Sequence, residues 1–170
     1  GNVTTFTQGG SKDINGIGEW RHTNGSVPDK DDIQNAFAAA YLVNTELLVY
    51  FGADRSANNG DANIGFWFLQ SDVGLNADGT FSGAHQDGDI FVVSGFTSGG
   101  QTSEIDVFKW SCPGNPANCD STGSLVLVTS TTAAQCASSA TGSHTACAIA
   151  NTGDVASVWA YTPKSGTAGT

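Results

Sequence analysis

The feature that most constrains this chain is a succession of short, apolar runs with a period of two, each closed by a Gly/Asp/Asn turn. Glu46–Phe51 (ELLVYF), Ile64–Leu69 (IGFWFL), Ile90–Val93, Glu104–Trp110, Leu125–Val128 and Val155–Tyr161 carry the pattern. A smaller run near Ala146–Ala150 and an opening at Val3–Phe6 extend it. Side chains alternate across a strand, and β-branched and aromatic residues suit a pleated, half-buried surface. Between the runs stand Ala57–Gly60, Asn76–Gly79, Gln86–Gly88 and Ser98–Gly100, which are turn chemistry rather than crossover helices. The pattern predicts an all-β fold, an antiparallel two-sheet sandwich of jelly-roll or concanavalin-like type with one short helix. The helix is expected after Asp29-Lys-Asp-Asp32, where Ile33, Ala36, Phe37, Ala40 and Tyr41 fall at i, i+3, i+4 spacing behind early carboxylates. Ile14–Trp20 reads as a short strand or a loop that buries Ile17 and Trp20. With 170 residues the chain makes one domain, 1–161, followed by a linker-like tail, 162–170.

Charge narrows the partners. Six basic and 16 acidic residues give a net charge of -10, which repels nucleic-acid backbones and anionic membrane surfaces alike. No apolar run reaches the length of a spanning helix, so no membrane insertion is expected within these residues. The four cysteines, Cys112, Cys119, Cys136 and Cys147, show neither CxxC nor zinc-ligand spacing. They read as two disulfides. Of the three possible pairings, Cys112–Cys119 with Cys136–Cys147 is favoured because each closes a short polar loop. Oxidised cysteines place the chain outside the cell or on its surface.

Thirteen of the 16 acids are Asp, mostly beside Gly and Asn. Calcium takes six to eight oxygens, which short side chains and carbonyls of tight loops can supply. Asp29, Asp31 and Asp32 form one candidate set, and Asp54, Asn58, Asn59 and Asp61 a second; Asp87 and Asp89 form a third, weaker one. None has the spacing of an EF-hand. The competing reading is conformational, since Asp, Asn and Gly populate turns for backbone reasons.

Catalytic signals are sparse. On a strand, Glu104, Asp106, Phe108 and Trp110 share one face, and Ile105 and Val107 the other. Glu104-Ile-Asp106 resembles the start of the paired-acid signature of jelly-roll β-glucanases, yet Phe108 and Lys109 stand where the acid/base would be. His22, His85 and His144 lack ligand spacing, and His85 reads as an exposed loop residue. No nucleophile elbow or phosphate-cradling loop occurs. Among the aromatics, Tyr50, Trp67 and Trp110 are candidates for a flat sugar-stacking platform, against the alternative that each packs a core.

Several motifs together resemble a recurrent, poorly characterised domain of secreted actinobacterial and similar bacterial surface proteins. They are Gly10-Ser-Lys-Asp-Ile-Asn15, Pro28-Asp-Lys-Asp-Asp-Ile33, Ala38-Ala-Ala-Tyr41 and Tyr50-Phe-Gly-Ala-Asp-Arg55. Asn58-Asn-Gly-Asp-Ala62, Ile64-Gly-Phe-Trp-Phe68 and Tyr161-Thr-Pro-Lys-Ser-Gly166 extend the likeness over most of the chain. The resemblance implies an extracellular, non-enzymatic role in adhesion or matrix, and a further apolar segment after the Pro-Lys-Ser-Gly stretch.

The expectation is therefore a calcium-stabilised surface-attachment or glycan-recognition domain whose partner is a neutral polysaccharide or a neighbouring surface protein. One alternative is a structural subunit of an extracellular bacterial filament or sheath, with self-association through an open strand edge. The other is a carbohydrate-active hydrolase, which needs a second carboxylate across an open cleft from Glu104 or Asp106.

Overall fold

A computed structural model describes residues 4–57, 60–97, 101–114 and 116–131. The runs near Ala146 and Val155, the pair Cys136 and Cys147, the residues Asn58 and Asn59, and the tail 162–170 lie outside them. The described part is all-β with one short helix, α1 (Cys119–Thr122), and several antiparallel sheets that pack together. Strands β1 (Thr4–Phe6) and β2 (His22–Asn24) pair with each other, as do β3 (Ile33–Val43) and β4 (Glu46–Arg55). The principal sheet has the order β10–β9–β8–β5, built from β5 (Ala62–Phe68), β8 (Ile90–Thr97), β9 (Gln101–Ser111) and β10 (Ser124–Thr131). A small hairpin, β6 (Gly74–Leu75) with β7 (Phe81–Ser82), bridges β5 to β8.

The helix expected over residues 33–41 is a strand. Ile33, Phe37 and Tyr41 are four residues apart, a spacing that serves both a helix face and a strand face. The odd positions also hold Val43, and β4 offers a partner in continuous antiparallel register from Asn35↔Asp54 to Val43↔Glu46. The connecting residues Asn44 and Thr45 have φ of 49° and 72°. Two consecutive positive φ values are those of a two-residue type I′ hairpin loop, whose twist matches the flanking strands. Pairing thus overrides the helix propensity of the alanines.

Register divides the principal sheet into two unlike faces. Phe66 lies opposite Val92, and Val92 opposite Val107, so Ile64, Phe66, Phe68, Ile90, Val92, Ile105 and Val107 share one face. Ile105 is 1% exposed and clusters with Val92 and Val107. Phe51 of β4 closes this aliphatic cluster, its ring centroid 4.8 Å from those of Phe66 and Phe68. The opposite face carries Trp67, Phe91, Phe108 and Trp110 toward one end and Asn63, Gly95, Glu104 and Asp106 toward the other. Its aromatic end is covered by the N-terminal segment: Trp20 meets Trp67 at 5.9 Å and Phe81 at 5.6 Å, and Phe6 stacks on Phe81 at 5.2 Å. Ile17 and Trp20 are both buried, although the segment that holds them forms 3-10 turns at Gly9–Ile14 and Ile17–Glu19.

At the corner after β9, Cys112 and Cys119 form a disulfide. The Trp110 indole N–H donates to the Cys119 carbonyl at 2.9 Å, in a cluster with both cysteines. Gly123 lies against this indole: a Cβ there would collide with Trp110 Nε1 and come within 2.6 Å of the Cys119 carbonyl oxygen. Gly123→Ala is therefore expected to overpack the corner and destabilise the domain by about 3 kcal/mol, read as a lower denaturant midpoint at unchanged m-value.

Candidate functional site

Two places on the aromatic–acidic face of the principal sheet concentrate chemistry. The first is buried. His85 and Asp89 are both 0% exposed, and the Asp89 carboxylate accepts from His85 Nδ1 at 3.2 Å. The turn between them has Gly88 at φ 96°, in the left-handed region. It lets the carboxylate also accept the backbone N–H groups of Gln86 and Gln70, each at 2.9 Å. The imidazole stacks on Trp110 at 4.2 Å and meets Trp67 at 4.5 Å and Trp20 at 5.4 Å. Its Nε2 has no hydrogen-bond partner among the described residues. Burial therefore holds the His85 pKa below the usual imidazole value, outweighing the opposing pull of the Asp89 hydrogen bond and of the Asp120 and Asp89 charges. The expectation of an exposed loop histidine is thus corrected: His85 is part of the core.

Asp120, at the start of α1, ties this hub to distant chain. Its carboxylate accepts the N–H groups of Ile17 at 2.8 Å, Gly18 at 3.1 Å and His85 at 2.8 Å. Asp87 accepts the N–H of Cys112 at 2.9 Å. Nothing in the local sequence marked Asp120, because its partners are distant in sequence: Ile17 and Gly18 lie 103 and 102 residues away, and His85 lies 35 away.

The second place is open. Asp61, Asn63, Val93, Gly95, Glu104 and Asp106 line a cleft of about 320 Å³, together with Ala62 and Phe96. Cross-strand rows build it: Asn63 and Glu104 both lie opposite Gly95, and Asp106 lies opposite Val93. Gly95, without a side chain, lowers the floor between Asn63 and Glu104. Glu104 Oε1 accepts from the Ser130 hydroxyl at 2.7 Å. The sequence placed Glu104 and Asp106 on one face, opposite Ile105 and Val107, and the register agrees. It did not foresee that Asp61 and Asn63 would join them.

The expected calcium loops meet elsewhere, at the base of the β3–β4 hairpin. Ser56 N–H donates to the Asp32 carbonyl at 2.9 Å, Ala57 N–H to the Asp29 carbonyl at 3.1 Å, and Lys30 Nζ to the Asp61 carbonyl at 2.7 Å. Asp54 accepts from the backbone and side-chain nitrogens of Asn35, and Asp32 from Gln34 Nε2 and Ser56 Oγ. Asp29 and Asp31 are exposed. Among the described residues, no group of three or more His, Cys, Asp or Glu side chains is arranged to hold a metal. The three proposed platform aromatics are separated. Tyr50 is exposed on the hairpin, Trp67 is half-buried in the aromatic cluster, and Trp110 is 1% exposed, which removes it from any surface platform. Its indole is needed to pack the disulfide corner.

Comparisons with protein-family models, with curated proteins and with solved structures return no match.

Two outcomes follow for the hub. Asp120→Ala leaves three backbone donors without their acceptor and is expected to cost about 3 kcal/mol, measured by urea unfolding. Because folded His85 resists protonation and the unfolded chain does not, the unfolded state binds more protons below the ordinary imidazole pKa. Stability is then full above roughly pH 6.5 and falls as pH drops, by at most about 1.4 kcal/mol per pH unit. Urea midpoints from pH 7.5 to 5.5 read this slope, and His85→Phe flattens it.

Proposed function

We propose that this is an extracellular, non-catalytic attachment domain that recognises a neutral glycan in the cleft lined by Asp61, Asn63, Glu104 and Asp106. The observation that carries the reading is the cleft itself, a concave, acceptor-rich strip over a glycine floor on an otherwise aromatic sheet face. Sugar hydroxyls donate to carboxylates and to amide oxygens, while Val93 and Phe96 give apolar edge to a ring. The net charge of -10 disfavours anionic saccharides in a site already lined by acids. An extracellular setting accords with the disulfide at Cys112–Cys119, and with the resemblance of the motifs to exported bacterial domains. A jelly-roll arrangement is the form of sandwich that this reading adopts, with the cleft on one face of its principal sheet. Calcium enters at the junction of the Asp29–Asp32 and Asp54–Asp61 loops, where the exposed carboxylates of Asp29 and Asp31 stand; its role there is to stiffen the loops.

The test is retention of the full chain on a panel of neutral polysaccharides, in calcium and again in chelator. Wild type is expected to bind at least one member, and Glu104→Gln with Asp106→Asn to weaken that binding about tenfold or more while leaving the unfolding midpoint within about 0.5 kcal/mol. A loss in chelator assigns calcium a supporting role. Absence of binding across the panel, or binding that the paired substitution leaves untouched, removes the cleft as the site.

A further inference from the structure

The N-terminal segment, residues 4–24, covers the aromatic end of the principal sheet without joining it. Its strands β1 and β2 form a separate two-stranded sheet. Among the described residues, its backbone bonds to the remainder run to the Gly79–Thr80 turn and to the Asp120 carboxylate. Three indoles wall in the buried His85 imidazole. Two are fixed to the sheet: Trp67 on β5, and Trp110 on β9, which the Cys119 carbonyl also holds. The third, Trp20, belongs to the covering segment, where its indole N–H donates to the Lys12 and Asn15 carbonyls at 2.8 and 3.1 Å. Trp20 therefore moves with the turns that hold it. The Val92–Ile105–Val107 cluster lies on the other face of the sheet, packed with Phe51, Phe68 and Ile90.

We infer that this segment is an acid-released roof: protonation of His85 detaches residues 4–24 from the aromatic end while the principal sheet stays folded. The inference concerns the buried hub and does not rest on the glycan reading. With its Nδ1–H given to Asp89, neutral His85 keeps Nε2 as an acceptor, and that atom has no partner among the described residues. A second proton turns Nε2 into a donor and the ring into a cation, enclosed by three indoles. Two carboxylates face the imidazole, Asp89 from its own turn and Asp120 from α1, and both favour that charge. Asp89, however, is filled by protein donors, the N–H groups of Gln70 and Gln86 and the Gln70 amide, which sets aside the Asp87–Asp89 pair as a cation site. Asp120 is filled by Ile17, Gly18 and the His85 N–H. From the covering segment comes Trp20, whose neighbour Arg21 directs its guanidinium at the Gly18 and Trp20 carbonyls. The new N–H is left to water. Water enters with least disruption on the Trp20 side, because moving Trp67 or Trp110 distorts strands of the sheet. His22, the segment's own histidine, is not the trigger: its Nε2 lies 3.0 Å from the Asn76 carbonyl, so a proton there has an acceptor. A solvated His85 takes its proton near the ordinary imidazole value of about 6.5, and the enclosed one below it. Each pH unit below 6.5 therefore shifts the balance toward the open form, by up to about tenfold.

The test is amide hydrogen exchange on the full chain from pH 7.5 to 5.0, read as protection factors so that the intrinsic pH dependence of exchange is divided out. Ile17, Gly18 and Trp20 are the reporting amides, and β8–β9 amides monitor the sheet. The reporters are expected to be about tenfold or more less protected than β8–β9 at every pH, and to lose protection about threefold or more across the range. His85→Phe is expected to abolish that loss and His22→Gln to leave it. Reporters as protected as β8–β9 overturn the inference, since the segment then opens only with the whole domain. A smaller loss overturns it too, as does a loss that survives His85→Phe or disappears in His22→Gln. Should His85→Phe strip β8–β9 of protection, the wild-type imidazole resonances decide. A His85 ring that titrates below the ordinary value supports the roof, and one that titrates at or above it overturns the inference, because protonation then has no preference for the open form.

Discussion

The structure depends on aspartate carboxylates that accept backbone N–H groups across long stretches of chain. A carboxylate accepting several amides satisfies donors that a strand or helix would otherwise have to satisfy, and charge-assisted bonds are stronger than neutral ones. Asp120 is the clearest case: one side chain from α1 fixes the Ile17–Gly18 turn and the start of the His85 turn. Asp89 does the same for Gln70 and Gln86 from inside the core, and Asp54 closes the base of the β3–β4 hairpin onto Asn35. Removing any one of them leaves several donors unpaired at once. These bonds therefore fix how loops sit on the sheet, while Val92, Ile105 and Val107 fix how the sheet is packed.

This explains which parts of the fold were legible in the sequence. Runs such as Ile64–Leu69 and Glu104–Trp110 announce strands because pleating and burial act on neighbouring residues, and the structure has β5 and β9 there. The Cys112–Cys119 loop was legible for the same local reason. The segment 33–43 was misread because its large residues recur every fourth position, and a partner strand, which propensity cannot see, decided between two periods. The Asp residues were the least legible. A carboxylate in a Gly/Asn turn looks the same whether it will hold a cation or an amide, and the amides taken by Asp120 lie as far away as Ile17. His85 was hidden likewise: nothing near it in sequence shows that Trp20, Trp67 and Trp110 will enclose it.

The two ends of one sheet face show how the same strands serve stability and recognition. On β9, Trp110 and Phe108 are followed toward the N-terminus by Asp106 and Glu104, all with the same orientation. The aromatic end is roofed by the N-terminal segment, and it is there that His85 and Asp89 are buried. Among the described residues the acidic end has no such roof, and Gly95 keeps it hollow. Candidate-site geometry was half legible. Alternation gave Glu104 and Asp106 a common face, whereas Asp61 and Asn63 reach the cleft only because β5 pairs with β8 and not with its sequence neighbours.

Charge distribution follows from this division of labour. With 16 acids against six bases, a random arrangement would set carboxylates against one another throughout the molecule. Pointing Asp54, Asp89 and Asp120 at backbone N–H groups places each beside partial positive charge rather than beside another acid. Exposed acids stand at the cleft (Asp61, Glu104), at the hairpin base (Asp29, Asp31) and on loops elsewhere (Glu19, Asp72, Asp78), while the ribbon beyond the base carries only Glu46. An approaching macromolecule therefore meets repulsion over most of the surface if it is anionic, hydrogen-bond acceptors at the cleft if it is neutral, and, among the described residues, bare apolar strand at the ribbon. A surface of that kind cannot be left open in a concentrated solution of like chains without inviting edge pairing.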